Sequence, residues 1–379
     1  MKPSALAFTA LCVCVGLCIL VAATAESSAG AGVPASGELP FPLNAQVGFH
    51  VDLVSSRVEG ARFIAVAPNG DILIAELSRG MVVAVHPEAP PDAQPTLVAA
   101  GLALPNAVAF QGSDLYIAVW SGVVVIRDYP RGIGSPVVLF DDMPRNNNHN
   151  ARALALDPER DIFISSGSDC NVCREDDARL AAILRYYADG SGAGIYASGL
   201  RNASGLALDD RGRLWAVVNQ RDNLAPDHTD LPPDELDLIR EGGNYGWPTT
   251  YPIGDRRLPN PEFPGATTAG ILPTTFNLPA HSAPLQAVFY NAEQFPDRFR
   301  GALFVAFHGS WNRQPPTGYK VVAVTFQNGN PTMVEDFITG WLTPDNRVHG
   351  RPVGVAVAGD GSLYVSDDTG FLFRVHYGD

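Results

Sequence analysis

Arg201-Asn202 open one β-patterned run, and Gln220-Arg221-Asp222 close the strand that follows it, within the stretch Leu200 to Trp247. A guanidinium among amides and a carboxylate can hold a carboxylate ligand or steady an oxyanion as it forms. His149, in RNNNHNARALAL, precedes a second run of this kind, and Arg351-Pro352 precedes a third. A histidine in such a place can serve as a general base near neutral pH. Gln220, Arg221 and Asp222 offer amide and carbonyl oxygens to a hard cation such as calcium, or they form a polar loop without metal. Asp227, Asp230, Asp234, Glu235 and Asp237 gather around Pro232-Pro233. That cluster reads as a solvated loop or as a second, structural calcium site. HGSWNRQPPTGYK, His308 to Lys320, carries Trp311 and Arg313, which could flank a planar ligand; ordinary packing is the other reading of Trp311. Asn202 opens an N-A-S glycosylation sequon, which stays unused if the residue lines a pocket.

The elements that must position these groups repeat. A phrase of apolar-x-Ala-x, a turn, and an alternating apolar strand occurs at Phe63 to Glu76, Ala107 to Val119, Ala153 to Gly167, Gly205 to Asn219 and Gly354 to Asp368. A weaker copy spans Leu285 to Gly309. Alternation at period two argues strands, and the Asn-Gly and Asp-Gly-Ser steps argue hairpin turns. The first three copies lie about 45 residues apart, a spacing that marks a β-propeller with one four-stranded sheet per copy. The expected fold is all-β, a six-bladed propeller over 46–379, preceded by a flexible segment at 26–45. Helical periodicity is nearly absent; Asp176 to Tyr186 is the one candidate for a short turn or helix. The long gap from Arg221 to Ala283 reads as inserted loops on one face. Strand ends of successive blades converge on one funnel, so His149, Arg201 and Arg351 are expected to face it together.

A chain of 379 residues, 46% hydrophobic and with 37 Gly and 31 Pro, can bury a large core joined by many turns. Its net charge of −14 excludes the basic stripe that a nucleic-acid partner requires. Residues 1–25 read as a secretory signal: Lys2, an apolar run from Leu6 to Val21, and a small-residue cleavage site at Ala23-Thr24-Ala25. Secretion or periplasmic export follows, with no stable membrane insertion after cleavage; an uncleaved anchor is the alternative. Cys12, Cys14 and Cys18 would leave with the signal. Cys170 and Cys173 then remain as C-N-V-C, which in an exported protein reads as a short-loop disulfide, with a free thiol pair or a metal site as alternatives.

The chain resembles the glucose/sorbosone dehydrogenase family of quinoprotein propellers. The resemblance is carried by His149 with Asn150-Ala151-Arg152, Ser168 to Cys173, LRNASG (Leu200 to Gly205), ELDLIREGGNYGWP (Glu235 to Pro248), HGSWNR (His308 to Arg313) and Gly350 to Asp368. CNVC and HGSWNR place it nearer the sorbosone and fungal pyranose dehydrogenase-like branches than the soluble glucose dehydrogenases. The resemblance implies pyrroloquinoline quinone and calcium as cofactors and a small-molecule sugar as substrate. It implies His149 as the base for the sugar hydroxyl and Arg201 over the reacting quinone carbonyl, with Asn202 beside it. Gln220 would touch the cofactor, Arg351 would pair with one of its carboxylates, and His308 or Arg313 would replace a lysine the family uses. The backbone carbonyls of Arg221 and Asp222 would hold calcium, although the family carries Gly-Pro there. No signal in the sequence identifies the electron acceptor. A calcium-dependent propeller lactonase and a non-catalytic binding propeller are the competing functions; the first wants Asp and Asn side chains converging on calcium, where this chain offers Arg and His.

Overall fold

The computed structural model describes residues 38–158, 161–192, 194–224 and 230–378. The signal with its three cysteines, and Asp227, lie outside the described residues. Six sheets follow one another along the chain, each built on a four-stranded antiparallel meander. The first consists of Ala61–Val66, Ile72–Glu76, Met81–Val85 and Thr96–Ala100. The innermost strands of the other five are Ala107–Gln111, Leu154–Leu156, Ala203–Leu208, Pro284–Tyr290 and Pro352–Val357. Each innermost strand touches the next, and the last touches the first, so the sheets form the blades of a closed six-bladed β-propeller.

Innermost strands crowd around the axis, and a Cβ on Gly205 would lie 2.0 Å from the Leu285 carbonyl oxygen of the next blade. Polar side chains tie the strands across the axis. Gln286 Oε1 accepts from the Ile64 and Val355 amides at 2.9 and 3.1 Å, and its Nε2 donates to the Ile64 carbonyl at 2.8 Å, joining three blades. Asn106 donates to the Arg152 carbonyl at 2.9 Å, and Ser204 to the Pro284 carbonyl at 2.5 Å.

The ring is closed by the two ends of the described chain. Phe49–Ser55 supplies the outer strand of the last blade, pairing antiparallel with Leu372–Tyr377. Phe49 is buried there, edge-on to Phe295, Phe299 and Phe337.

Several expectations need correction. Residues 38–45, placed in a flexible segment, are tied down: Phe41 is buried and stacks on His349 with ring centroids 5.2 Å apart, and Asn44–Ala45 adds a fifth strand to blade five. Of the short turn or helix expected over 176–186, the structure has a turn, closed by the Leu180 amide on the Asp177 carbonyl, and then Ala182–Tyr186 as the third strand of blade three. The gap from Arg221 to Ala283 is more than loop. Asp234–Leu238 and Phe276–Leu278 complete blade four, Gly243–Asn244 extends blade three, and Thr250–Ile253 pairs with Arg256–Pro259 as a separate hairpin. No helix among the described residues is long and apolar enough to cross a membrane.

Candidate active site

Successive strands of a meander run antiparallel, so each innermost strand begins, and each second strand ends, on the same face of the ring. His149, Arg201, His281 and Arg351 lie in loops that enter an innermost strand. Gln220 to Asp222 and Ser310-Trp311 lie in loops that leave a second strand. A cleft with a cavity volume of about 140 Å³ opens on that face, lined by His149, Arg201, Asn202, Asn219, Gln220, Asp222, Asp234, His281 and Trp311 among others.

His149 is held by its Nδ1, which lies 2.9 Å from both the carbonyl oxygen and the hydroxyl of Ser168. A carbonyl oxygen accepts only, so Nδ1 carries the proton and Nε2 presents its lone pair. Among the described residues Nε2 has no hydrogen-bond partner. The Ser168 hydroxyl donates onward to the Cys170 carbonyl at 2.7 Å, which fixes its acceptor side toward the imidazole. Burial, and then the neighbouring Arg201 charge, push the His149 pKa down to about 4, so the ring is neutral at pH 7.

Arg201 is 4% exposed, and each of its five N–H groups has an acceptor. Nε donates to the Asn171 carbonyl at 3.1 Å. Nη1 serves the Asn219 and Gln220 carbonyls at 3.3 and 2.8 Å. Nη2 serves Asn171 Oδ1 at 3.0 Å and the Asp222 carboxylate at 3.3 Å. Its direct donors are committed, so its leverage on a ligand is its charge, which acts strongly away from water. Burial holds its pKa below the ordinary value while Asp222 and Asp234 oppose that shift.

The other expected residues divide. Asn202, Gln220 and Asp222 line the cleft with His149 and Arg201. The Gln220 amide is engaged beneath it, donating to Glu235. Arg351, His308 and Arg313 lie outside the lining. Arg351 donates to the Gly309 carbonyl at 3.0 Å and covers the Tyr319 ring at 4.8 Å. His308 pairs with Asp368 at 2.9 Å. Arg313 donates to the Ala280 carbonyl at 2.8 Å and pairs with Asp230 at 3.2 Å. The Arg221 side chain turns away to Glu262 and Asn260, at 2.6 and 3.0 Å.

The chemistry of the oxygen donors decides how calcium fits. The Asp222 carbonyl accepts from Asn171 Nδ2 at 3.0 Å and from Arg221 Nε at 3.3 Å, so both its lone pairs are engaged, which argues against it as the ligand. Asn219 Oδ1 is buried with no hydrogen-bond partner. It lines the same cleft as the Asp222 carboxylate. An orphaned amide oxygen and a carboxylate are donors a hard cation accepts. Asn219 was not foreseen; its place directly before Gln220 was the available signal.

The solvated-loop reading of the acidic cluster fits exposed Asp230 but fails for its strand part. Asp234, Glu235 and Asp237 are at most 2% exposed. Asp234 accepts from the Gln220 and Ala283 amides at 2.9 and 3.1 Å, and Glu235 pairs with buried Arg257. Burial raises the Asp234 carboxyl to about 7. Cys170 and Cys173 are joined as a disulfide.

The family model described as TrAA12-like matches residues 43–268 and 267–377. The pyrroloquinoline quinone-dependent pyranose dehydrogenase of Coprinopsis cinerea is 31% identical over 219 residues, 45% of this chain and 29% of that longer protein. Two solved structures share the fold at 22% identity and a TM-score of 0.77. The holo quinone domain of pyranose dehydrogenase from C. cinerea covers 90% of this chain and 99% of its own. The calcium structure of the Trichoderma reesei family AA12 enzyme covers 91% and 99%.

Proposed function

The chain belongs to the TrAA12-like family, and from that premise we propose that it is an oxidoreductase acting on a sugar, an aldose or a sugar aldehyde with pyrroloquinoline quinone and calcium. The observation that carries the reading is the pairing, in one cleft, of a neutral histidine with an open Nε2 and a buried guanidinium. The quinone, when bound, supplies the electron-pair acceptor. His149 Nε2 takes the proton of the sugar hydroxyl being oxidised, and the Nδ1 bond to Ser168 keeps the ring aimed. Arg201 offsets negative charge developing in the cleft through its fixed positive charge. Asn219 Oδ1 and the Asp222 carboxylate would hold the cation. Trp311, 74% exposed at the rim, leaves one broad apolar face toward incoming ligand.

The leader at 1–25 and the Cys170–Cys173 disulfide support export to an oxidising compartment. The test is reconstitution of the purified protein with pyrroloquinoline quinone and calcium, followed by dye reduction across a panel of sugars. Turnover that disappears in His149→Ala supports the reading. Quinone binding without turnover identifies a binding propeller instead, and absence of quinone binding rejects the quinoprotein reading.

A further inference from the structure

One short segment, 167–175, touches both members of the proposed pair, and the mechanism above leaves most of it unused. On the His149 side, Ser168 holds the imidazole, and Asp169 Oδ1 accepts from the amides of Asn147 and Asn148 at 2.7 and 3.1 Å. On the Arg201 side, the Ser168 amide donates to the Arg201 carbonyl at 2.8 Å. Asn171 gives Arg201 two acceptors, its carbonyl and its Oδ1. The same carbonyl accepts from the Trp247 indole at 3.1 Å, and the Asn171 amide grips Asp222 by both backbone groups, at 2.9 and 3.0 Å. Asn171 lies inside the loop that Cys170 and Cys173 close, and the Cys170 carbonyl anchors Ser168.

We propose that the loop closed by Cys170–Cys173 is a positioning device for His149 and Arg201, with Asn171 as its positioning residue. The proposal rests on the reading of His149 and Arg201 as the catalytic pair. Asn171 touches neither substrate nor reacting atoms; it fixes where the guanidinium stands, and the Cys170 carbonyl, through Ser168, fixes where the imidazole points. A side chain held at its carbonyl and at both ends of its amide has little freedom, and the covalent loop takes away the rest.

The test uses the full chain with Asn171→Ala and with the double change Cys170→Ser, Cys173→Ser. In reconstituted protein, kcat falls by about ten- to a hundredfold while the KM for the sugar stays within about twofold, the pattern of lost transition-state positioning. In protein without quinone, an NMR titration follows the His149 ring, which Arg201 and Asp169 face. Loosening the loop hydrates the ring and moves it from Arg201, so its pKa rises from about 4 toward the ordinary value. A loop that merely stabilises the fold leaves that titration in place. Wild-type kcat with an unmoved titration in both variants overturns the proposal. If the double variant does not fold, the native disulfide is reduced after folding with dithiothreitol, giving two thiols and the oxidised reagent. The same titration must then shift, and return on reoxidation. Should wild-type protein turn over no sugar, the functional reading fails, while the quinone-free titration still decides the positioning claim.

Discussion

At the scale of single residues, the cleft sets a neutral imidazole beside a guanidinium whose donors are all engaged. His149 has its Nδ1 proton spent on Ser168, so replacing the ring removes proton acceptance and leaves the cleft otherwise intact. His149→Ala therefore lowers kcat by about 10²–10⁴-fold with quinone affinity retained, measured by dye reduction and by cofactor titration. The lowered pKa sets the pH response. With neutral imidazole as the proposed base, rates are expected to hold from pH 8 to pH 6 and to fall as pH drops through about 4. An acid limb near 6.5 would mean the ring is hydrated and far from Arg201. The site was partly legible in the sequence: His149 and Arg201 stand at equivalent places before repeated strands, and equivalence in a closed ring brings them together. Arg351 occupies an equivalent place too, but Tyr319 and the Gly309 carbonyl draw it aside, and nothing in its sequence neighbours announces that.

At the scale of elements, the part of the structure that repeats explains what periodicity could and could not reveal. The repeated phrase was readable because each blade repeats the same step from innermost strand through a turn to second strand. Gly205→Ala is expected to destabilise the fold by about 1–3 kcal/mol in a denaturant titration, since its Cβ has no room beside the Leu285 carbonyl. Gly167→Ala acts closer to the chemistry. Its Cβ would fall 2.5 Å from the His149 Cβ and carbonyl oxygen, displacing the base, so activity drops more than stability does. The acidic strand Asp234–Leu238 was unreadable for the opposite reason. Its charges look solvated until Arg257 and the Gln220 and Ala283 amides reach it from separate segments.

At the scale of the whole molecule, stability depends on the ring's seam and on buried acids. Phe49→Ala removes a buried ring from the closing strand's aromatic cluster and should cost about 3–5 kcal/mol, read as a lower denaturation midpoint. Asp234 and Asp367 are both raised to about 7 by burial. A raised carboxyl holds its proton in the folded state and releases it in the unfolded one, so its stabilisation is full below about 4 and is lost as pH rises through 7. His149 works in the other direction, losing stability as pH falls from about 6.5 to 4. Two carboxyls outweigh one imidazole, so the midpoint should decline between pH 5 and pH 8, and Asp367→Asn should flatten that decline.

The seam has a consequence for how the molecule is made. Phe49–Ser55 is made before the five blades that separate it in sequence from its partner Leu372–Tyr377. Until that partner is made, Phe49–Ser55 has no edge to join, and the last blade is incomplete. Pairing over such sequence separation is slow, on the order of milliseconds to seconds once the chain is complete. Until Leu372–Tyr377 is made, a growing chain therefore stays an open arc with unpaired strand edges, adhesive to its neighbours and accessible to chaperones, and the ring closes only when that strand meets Phe49–Ser55.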